Sequence, residues 1–155
     1  IRHSRVARSN VLAFSALGAK ITLVAPTTLL PSALVGWPVR ISHDLDEVLP
    51  SLDACYLLRM QQERITEGLI PSVREYVADY GLDAARAARL PADALICHPG
   101  PTNRGVEISA EVAADPRSVI LDQVVNGVSV RMAVLFLLLG SGRELADKAE
   151  PEVGP

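Results

Sequence analysis

The sequence lacks two common nucleotide-binding motifs and the usual metal-binding spacings. It contains neither a G-x-G-x-x-G fingerprint nor a G-x-x-x-x-G-K-[ST] P-loop. It has only two cysteines, Cys55 and Cys97. Cys97 precedes His98, but no C-x-x-C or H-x-x-x-H spacing supplies the further ligands that a zinc site needs. These absences argue against a dinucleotide enzyme, a P-loop enzyme and a metal site.

Charge and hydropathy exclude further classes of function. The formal net charge of −3 gives a nucleic-acid partner no electrostatic support. No signal peptide is visible, and the longest apolar run, residues 132–139, is too short to span a bilayer, so we expect no membrane partner. Both cysteines lie inside apolar runs, which predicts buried thiols in a reducing compartment.

Helical and strand patterns alternate along the chain, which is typical of an α/β fold on an open parallel sheet with helices on both faces. We expect residues 1–140 to form one domain and the polar residues 141–155 a disordered tail. Ile1 resembles the last residue of a strand, so we expect a fragment with its first strand truncated. The predicted helices span 5–17, 27–34, 45–52, 73–80, 84–90 and 128–139, and the predicted strands span 19–25, 39–42, 54–58 and 94–97.

Polar residues follow the strands at three junctions. Arg5 comes at the start of the first predicted helix, where the helix dipole favours an anion. Arg59 directly follows a strand, with Gln61 beside it and Glu63 available to hold the arginine in position. The Pro-Gly-Pro loop at 99–101 follows another strand and offers backbone carbonyl groups.

In an open parallel sheet these three junctions lie along one edge, where α/β proteins bind ligands. Two arginine forks and an acceptor-rich loop suit a small dianion that carries an amino group. The alternative is that Arg5 and Arg59 form structural ion pairs or lie in solvent, and that the loop is a plain turn.

Taken together, the junction motifs resemble one family. HSRVARSN at 3–10, LRMQQER at 58–64, HPGPTNRG at 98–105 and NGV at 126–128 occur in the order and spacing of the C-terminal, aspartate-binding domain of aspartate carbamoyltransferases. The resemblance implies a Rossmann-like, three-layer domain. It also implies transfer of the carbamoyl group of carbamoyl phosphate to the amino group of L-aspartate, in pyrimidine biosynthesis.

The same resemblance implies roles for individual residues, and neither a metal nor an organic cofactor. Arg5 and Arg59 would bind the aspartate carboxylates, with Gln61 at the same site. The backbone of Gly100 and Pro101 would meet the carbamoyl group of carbamoyl phosphate. The supporting residues would be Glu63, His98 and Pro99.

The resemblance further implies partners. The phosphate-gripping loop of the family belongs to an N-terminal domain that this sequence lacks, and full-length chains would form a cytoplasmic homotrimer, either alone or with regulatory or dihydroorotase subunits. The apolar helix near the end would pack against that domain, and alone it would expose apolar surface. Two alternatives stay open: a non-catalytic amino-acid-binding or assembly module with this fold, and an ornithine-type carbamoyltransferase.

Overall fold

The structure is a computed structural model that describes residues 1, 4–31, 34–60 and 72–140. The chain divides into two units, Ile1–Ile120 and Leu121–Pro155. The elements of the first unit are listed here in chain order: α1 (Arg5–Ala16), β1 (Ile21–Val24), β2 (Val39–Ser42), α2 (Leu45–Val48), β3 (Ala54–Tyr56), α3 (Val73–Tyr80), α4 (Ala84–Ala87), β4 (Leu95–Cys97) and α5 (Ala110–Ala113). A last helix, α6 (Ile120–Leu138), follows.

All four strands pair in parallel, which confirms the predicted α/β class. β1 pairs with β2, and β3 pairs with β4. The described residues form two two-stranded sheets rather than one open sheet. Residues of β1 and of β3 line the same cleft.

Two hydrophobic clusters support the two sheets. The larger one surrounds β3 and β4 and includes Leu49 and Ile96, which are both fully buried. The smaller one contains Leu23 of β1 and Val11 of α1. Both cysteines are buried and free, as their apolar surroundings predict. Burial raises the pKa of the Cys55 thiol to about 12, and Cys97 adds to this effect.

Side-chain caps begin the helices where the sequence predicts them. The cap residues Ser4, Asp44, Ser72 and Asp83 each accept a hydrogen bond from the backbone N–H three residues later. Ser109 caps α5 in the same way, and this helix was missed by the sequence analysis.

The predicted helix at 27–34 is wrong in its length. Only a 3₁₀ turn forms at Thr27–Leu29, and Leu30 is extended with ψ 150°. Pro31 follows Leu30, and a residue before proline is sterically driven away from the helical region. The proline therefore ends the turn early.

The prediction for the end of the chain also needs correction. The predicted helix at 128–139 begins too late, because α6 is one helix of 19 residues that runs through Gly127. It has no buried residue, in agreement with the expected exposure of apolar surface. Among the described residues, α6 alone is long and apolar enough to cross a membrane, with a mean hydropathy of 1.5. Run length therefore does not exclude a membrane span, although core helices meet the same criterion.

Candidate functional site

The ends of β3 and β4 lie side by side and open into the same cleft. Tyr56 pairs with Cys97, and the N–H of Leu57 donates to the Cys97 carbonyl at 2.9 Å. Both strands therefore end at the same edge of the sheet. The cleft has a volume of about 1580 Å³. Its lining includes Arg59 and the loop at 99–101. The topology therefore brings two of the three predicted junctions to one place.

The loop after β4 is held by the histidine that precedes it. His98 is fully buried, and its Nδ1 accepts a hydrogen bond from the backbone N–H of Gly100 at 2.9 Å. Because Nδ1 accepts, the ring proton lies on Nε2. Gly100 has φ +65°, a region that favours glycine, and the Gly100–Pro101 bond is cis. The expectation that His98 supports this loop is consistent with its geometry.

A buried carboxylate joins this loop to the end of β3. The Glu107 side chain is 1% exposed, and its Oε1 lies 3.2 Å from His98 Nε2. The same Oε1 accepts from the backbone N–H of Asn103 at 2.6 Å, and Oε2 accepts from the backbone N–H of Met60 at 3.5 Å. Asn103 Nδ2 donates to the Met60 carbonyl at 2.7 Å. We call Glu107, His98 and Asn103 the Glu107 cluster.

The Glu107 cluster keeps its carboxylate ionised. Burial alone would raise the pKa of Glu107, but hydrogen bonds from His98 and from the backbone N–H groups of Asn103 and Met60 outweigh burial and lower it. The backbone N–H groups of Asn103 and Met60 and the ring of His98 therefore face a charged acceptor. Sequence reasoning missed Glu107, and the only local signal is its position between two apolar residues, Val106 and Ile108.

Helix α3 contributes two tyrosines to the wall of the cleft. The rings of Tyr76 and Tyr80 stack with centroids 5.4 Å apart. Burial raises the pKa of Tyr76 to about 12, and the negative charge of Glu107 adds to this effect. Tyr76 is thus a neutral phenol at neutral pH.

The third predicted junction lies at the start of α1. Ser4 lines the cleft and caps the helix by accepting from the N–H of Ala7 at 3.1 Å. Arg5 is the first helical residue, and its side chain is exposed. The N-terminus of α1 carries the positive end of a helix dipole, which favours an anion.

Two predicted site residues cannot be placed. Gln61 and Glu63 lie outside the described residues, as does the predicted tail at 141–155. Within the ranges that the structure describes, no three His, Cys, Asp or Glu side chains come together to hold a metal ion.

The family model for the aspartate/ornithine carbamoyltransferase Asp/Orn-binding domain matches residues 2–138. The catalytic subunit of aspartate carbamoyltransferase from Acidothermus cellulolyticus is 61% identical over 142 residues, covering 92% of this chain and 44% of the relative. That from Thermobifida fusca is 61% identical over 140 residues, covering 90% of this chain and 45% of the relative. The chain spans about half the length of the curated relatives it matches.

Solved structures of carbamoyltransferases also match this chain. Aspartate transcarbamoylase from Trypanosoma cruzi in complex with carbamoyl phosphate and aspartate matches with a TM-score of 0.62 and 32% identity, covering 74% of this chain and 40% of that one. Ornithine carbamoyltransferase from Pyrococcus furiosus matches with a TM-score of 0.74 and 22% identity, covering 84% of this chain and 45% of that one. At that identity the second match supports the fold alone.

Proposed function

Because this chain belongs to the Asp/Orn-binding domain family of the aspartate/ornithine carbamoyltransferases, we propose that it supplies the amino-acid-binding half of an aspartate carbamoyltransferase. The reaction transfers the carbamoyl group of carbamoyl phosphate to the amino group of L-aspartate and gives N-carbamoyl-L-aspartate and phosphate, a step of pyrimidine biosynthesis. One observation carries the proposal for the site: the Glu107 cluster ties the Arg59–Met60 backbone to the loop at 98–103 beside one cleft.

The arginines would bind and orient the amino acid. Arg59 is exposed on the cleft wall, where its guanidinium can form two parallel hydrogen bonds to a carboxylate. Arg5 would bind the second carboxylate at the N-terminus of α1, where the helix dipole adds to its charge. Gln61 is proposed at the same site. Holding both carboxylates leaves the amine of aspartate in a fixed direction.

The loop after β4 would face the carbamoyl group. Its backbone at Gly100 and Pro101 is proposed to accept from the carbamoyl N–H₂. Attack by a neutral amine on an activated carbonyl depends mostly on positioning and on charge stabilisation, which preorganised groups supply. The chain's own contribution is therefore orientation of the amine and exclusion of water when the site closes.

The remaining parts of the enzyme are proposals as well. An N-terminal domain would bind the phosphate, and full-length chains would form a homotrimer in the cytoplasm, where buried thiols stay reduced. We also propose that the two strand pairs belong to one open parallel sheet with helices on both faces. The parallel pairing of both strand pairs and the shared cleft that β1 and β3 line support this arrangement.

Aspartate is favoured over ornithine as the amino-acid substrate. The aspartate-type catalytic subunits from Acidothermus cellulolyticus and Thermobifida fusca are both 61% identical to this chain, whereas the Pyrococcus furiosus ornithine enzyme is 22% identical. Two arginine forks also suit a dicarboxylate better than a diamino acid.

The test uses a hybrid catalytic subunit in which residues 2–138 of this chain replace the matching segment of the Thermobifida fusca relative. We expect carbamoyl transfer to aspartate and not to ornithine. Arg59→Ala should raise the KM for aspartate far more than it lowers kcat, because it removes a binding group. Arg74→Ala, an exposed arginine on α3, is the matched control and should leave both constants unchanged.

Other results would redirect the proposal. Transfer to ornithine would indicate an ornithine-type enzyme. A folded hybrid without activity that still binds aspartate in calorimetry would favour a non-catalytic binding module. The 155-residue chain alone should be inactive. Turnover by it would contradict the proposal that it supplies only the amino-acid-binding half of the enzyme.

A further inference from the structure

The Glu107 cluster holds the backbone next to Arg59 by hydrogen bonds. Met60 is held on both sides of its backbone, because its N–H donates to Glu107 Oε2 at 3.5 Å and its carbonyl accepts from Asn103 Nδ2 at 2.7 Å. Arg59 is the preceding residue, so these two hydrogen bonds fix the direction in which its side chain leaves the backbone.

The same carboxylate also contacts the loop after β4. Glu107 Oε1 lies 3.2 Å from His98 Nε2, and Nδ1 of that ring accepts from the N–H of Gly100 at 2.9 Å. One path of hydrogen bonds therefore runs from Met60 through Glu107 and His98 to Gly100. It joins chain segments that are 47 residues apart, from Met60 to Glu107.

We propose that Glu107 is a positioning residue that sets the distance between Arg59 and the loop at 99–101. The inference rests on the proposed function, since those two elements are taken as the aspartate-binding and carbamoyl-facing parts. Its physical basis is that three donors converge on one ionised carboxylate with a 1% exposed side chain. Only an acceptor with two oxygens can satisfy all of them.

Glu107→Gln is the sharpest substitution because it keeps the shape and removes one acceptor. The new amide N–H₂ must face a backbone N–H or the Nε2–H of His98, and both are donors. An amide nitrogen in place of Oε2 meets the N–H of Met60, and relief requires a shift of Met60. An amide nitrogen in place of Oε1 meets the N–H of Asn103 and the Nε2–H of His98, and relief requires a shift of Asn103 together with a proton move on His98 from Nε2 to Nδ1. The move places a proton opposite the N–H of Gly100 and so disturbs the loop.

The first measurement is kinetic and uses the hybrid subunit. A misplacement of about 1 Å costs on the order of 100-fold in rate, so Glu107→Gln should lower kcat/KM for aspartate by roughly 10- to 100-fold, with kcat falling as well as KM rising. Asn103→Ala removes only the hydrogen bond to the Met60 carbonyl. It should lower kcat/KM by roughly 3- to 10-fold in the same direction.

The matched control is Asp115→Asn, another change from carboxylate to amide in a hydrogen-bonded carboxylate. Asp115 accepts from the backbone and guanidinium of Arg117. It should reduce thermal stability without changing the constants of the folded enzyme. If Glu107→Gln behaves like this control, the positioning role is overturned. If Glu107→Gln does not fold, Asn103→Ala decides the question alone, and unchanged constants in that variant overturn the role.

The second measurement separates this inference from the proposed function. Nitrogen NMR of the histidine rings in the 155-residue chain reports which nitrogen of His98 carries the proton, without any activity. We expect the proton on Nε2 in the unmodified chain and a mixed or reversed population in Glu107→Gln. A hybrid that is inactive before any substitution argues against the proposed function. Unchanged ring spectra of His98 together with unchanged backbone amide signals of Met60 and Asn103 in the variant then overturn the role of Glu107 independently.

Discussion

Gly81 leaves no room for a side chain, although its backbone would accept one. Its φ of −69° is ordinary for any residue. A Cβ built there would lie 2.7 Å from the Val77 carbonyl oxygen and 2.9 Å from that of Val106. Both contacts are to backbone atoms, so no flexible side chain can move aside. The prediction is that Gly81→Ala destabilises the chain through crowding and not through backbone strain.

The expected loss in free energy of unfolding on Gly81→Ala follows from opposing effects. Overpacking at a well-packed position costs about 1–3 kcal/mol. The Val77 carbonyl also accepts from the N–H of Gly81 at 3.0 Å, and weakening that bond adds up to about 1 kcal/mol. The reduced entropy of the unfolded chain offsets about 0.4–1 kcal/mol. The net loss in free energy of unfolding should be about 1–3 kcal/mol.

Urea unfolding followed by circular dichroism measures this change. Gly127→Ala is the control, because it lies inside α6 with nothing within 4 Å of the built Cβ. It should leave the free energy of unfolding unchanged or raise it by up to about 1 kcal/mol, since alanine is the better helix former. A Gly81→Ala chain within 0.5 kcal/mol of the parent, on the order of an ordinary surface change, would refute the crowding argument.

Three further outcomes are expected. Leu49→Ala should lower the free energy of unfolding by about 2–5 kcal/mol in urea titrations, whereas Leu121→Ala, which is 80% exposed, should change it by less than about 0.5 kcal/mol. Hydrogen bonds from the neighbouring arginine lower the pKa of Asp115 from 3.8 to about 2. The ionised form therefore stabilises the fold by about 1 kcal/mol above pH 4, and the difference from Asp115→Asn should vanish as the pH falls from 4 toward 2. Cys55 and Cys97 should react with a thiol reagent at pH 8 only after unfolding, because burial raises the pKa of both thiols.

Helix starts were predictable because their causes are local. A Ser or Asp side chain that accepts from the N–H three residues later is decided within four residues of sequence, and Ser4 and Asp83 both do so. The early end of the 3₁₀ turn at Leu29 is local as well, since Pro31 acts on Leu30. The predicted helix at 27–34 is wrong because this proline prevents Leu30 from continuing the turn.

The length of α6 was not predictable from periodicity. The helix is apolar on all sides, so it has no 3.6-residue pattern that marks its beginning. The predicted start at residue 128 places Gly127 just outside the helix, but a glycine inside a helix costs only about 1 kcal/mol relative to alanine. A helix of 19 residues tolerates this cost.

Topology predicted that two of the junctions share one cleft, but it could not predict the contacts that hold them together. Parallel strands end at the same edge, and this rule alone brings Arg59 and the loop at 99–101 to one cleft. Glu107 acts across 47 residues on Met60, and such a contact leaves no periodicity or motif in the sequence.

The Glu107 cluster explains why a charged group is retained in this buried position. An apolar residue of similar size would leave the N–H groups of Met60 and Asn103 without acceptors, and each unsatisfied donor costs about 1–3 kcal/mol. A carboxylate satisfies both of them and the ring of His98 together. Packing alone could fill the same volume, but it would not fix the direction of the Met60 backbone. Because a binding group must be held to within about 0.5 Å to be effective, a directional network is the better support for the neighbouring Arg59 in the binding role that we propose for it.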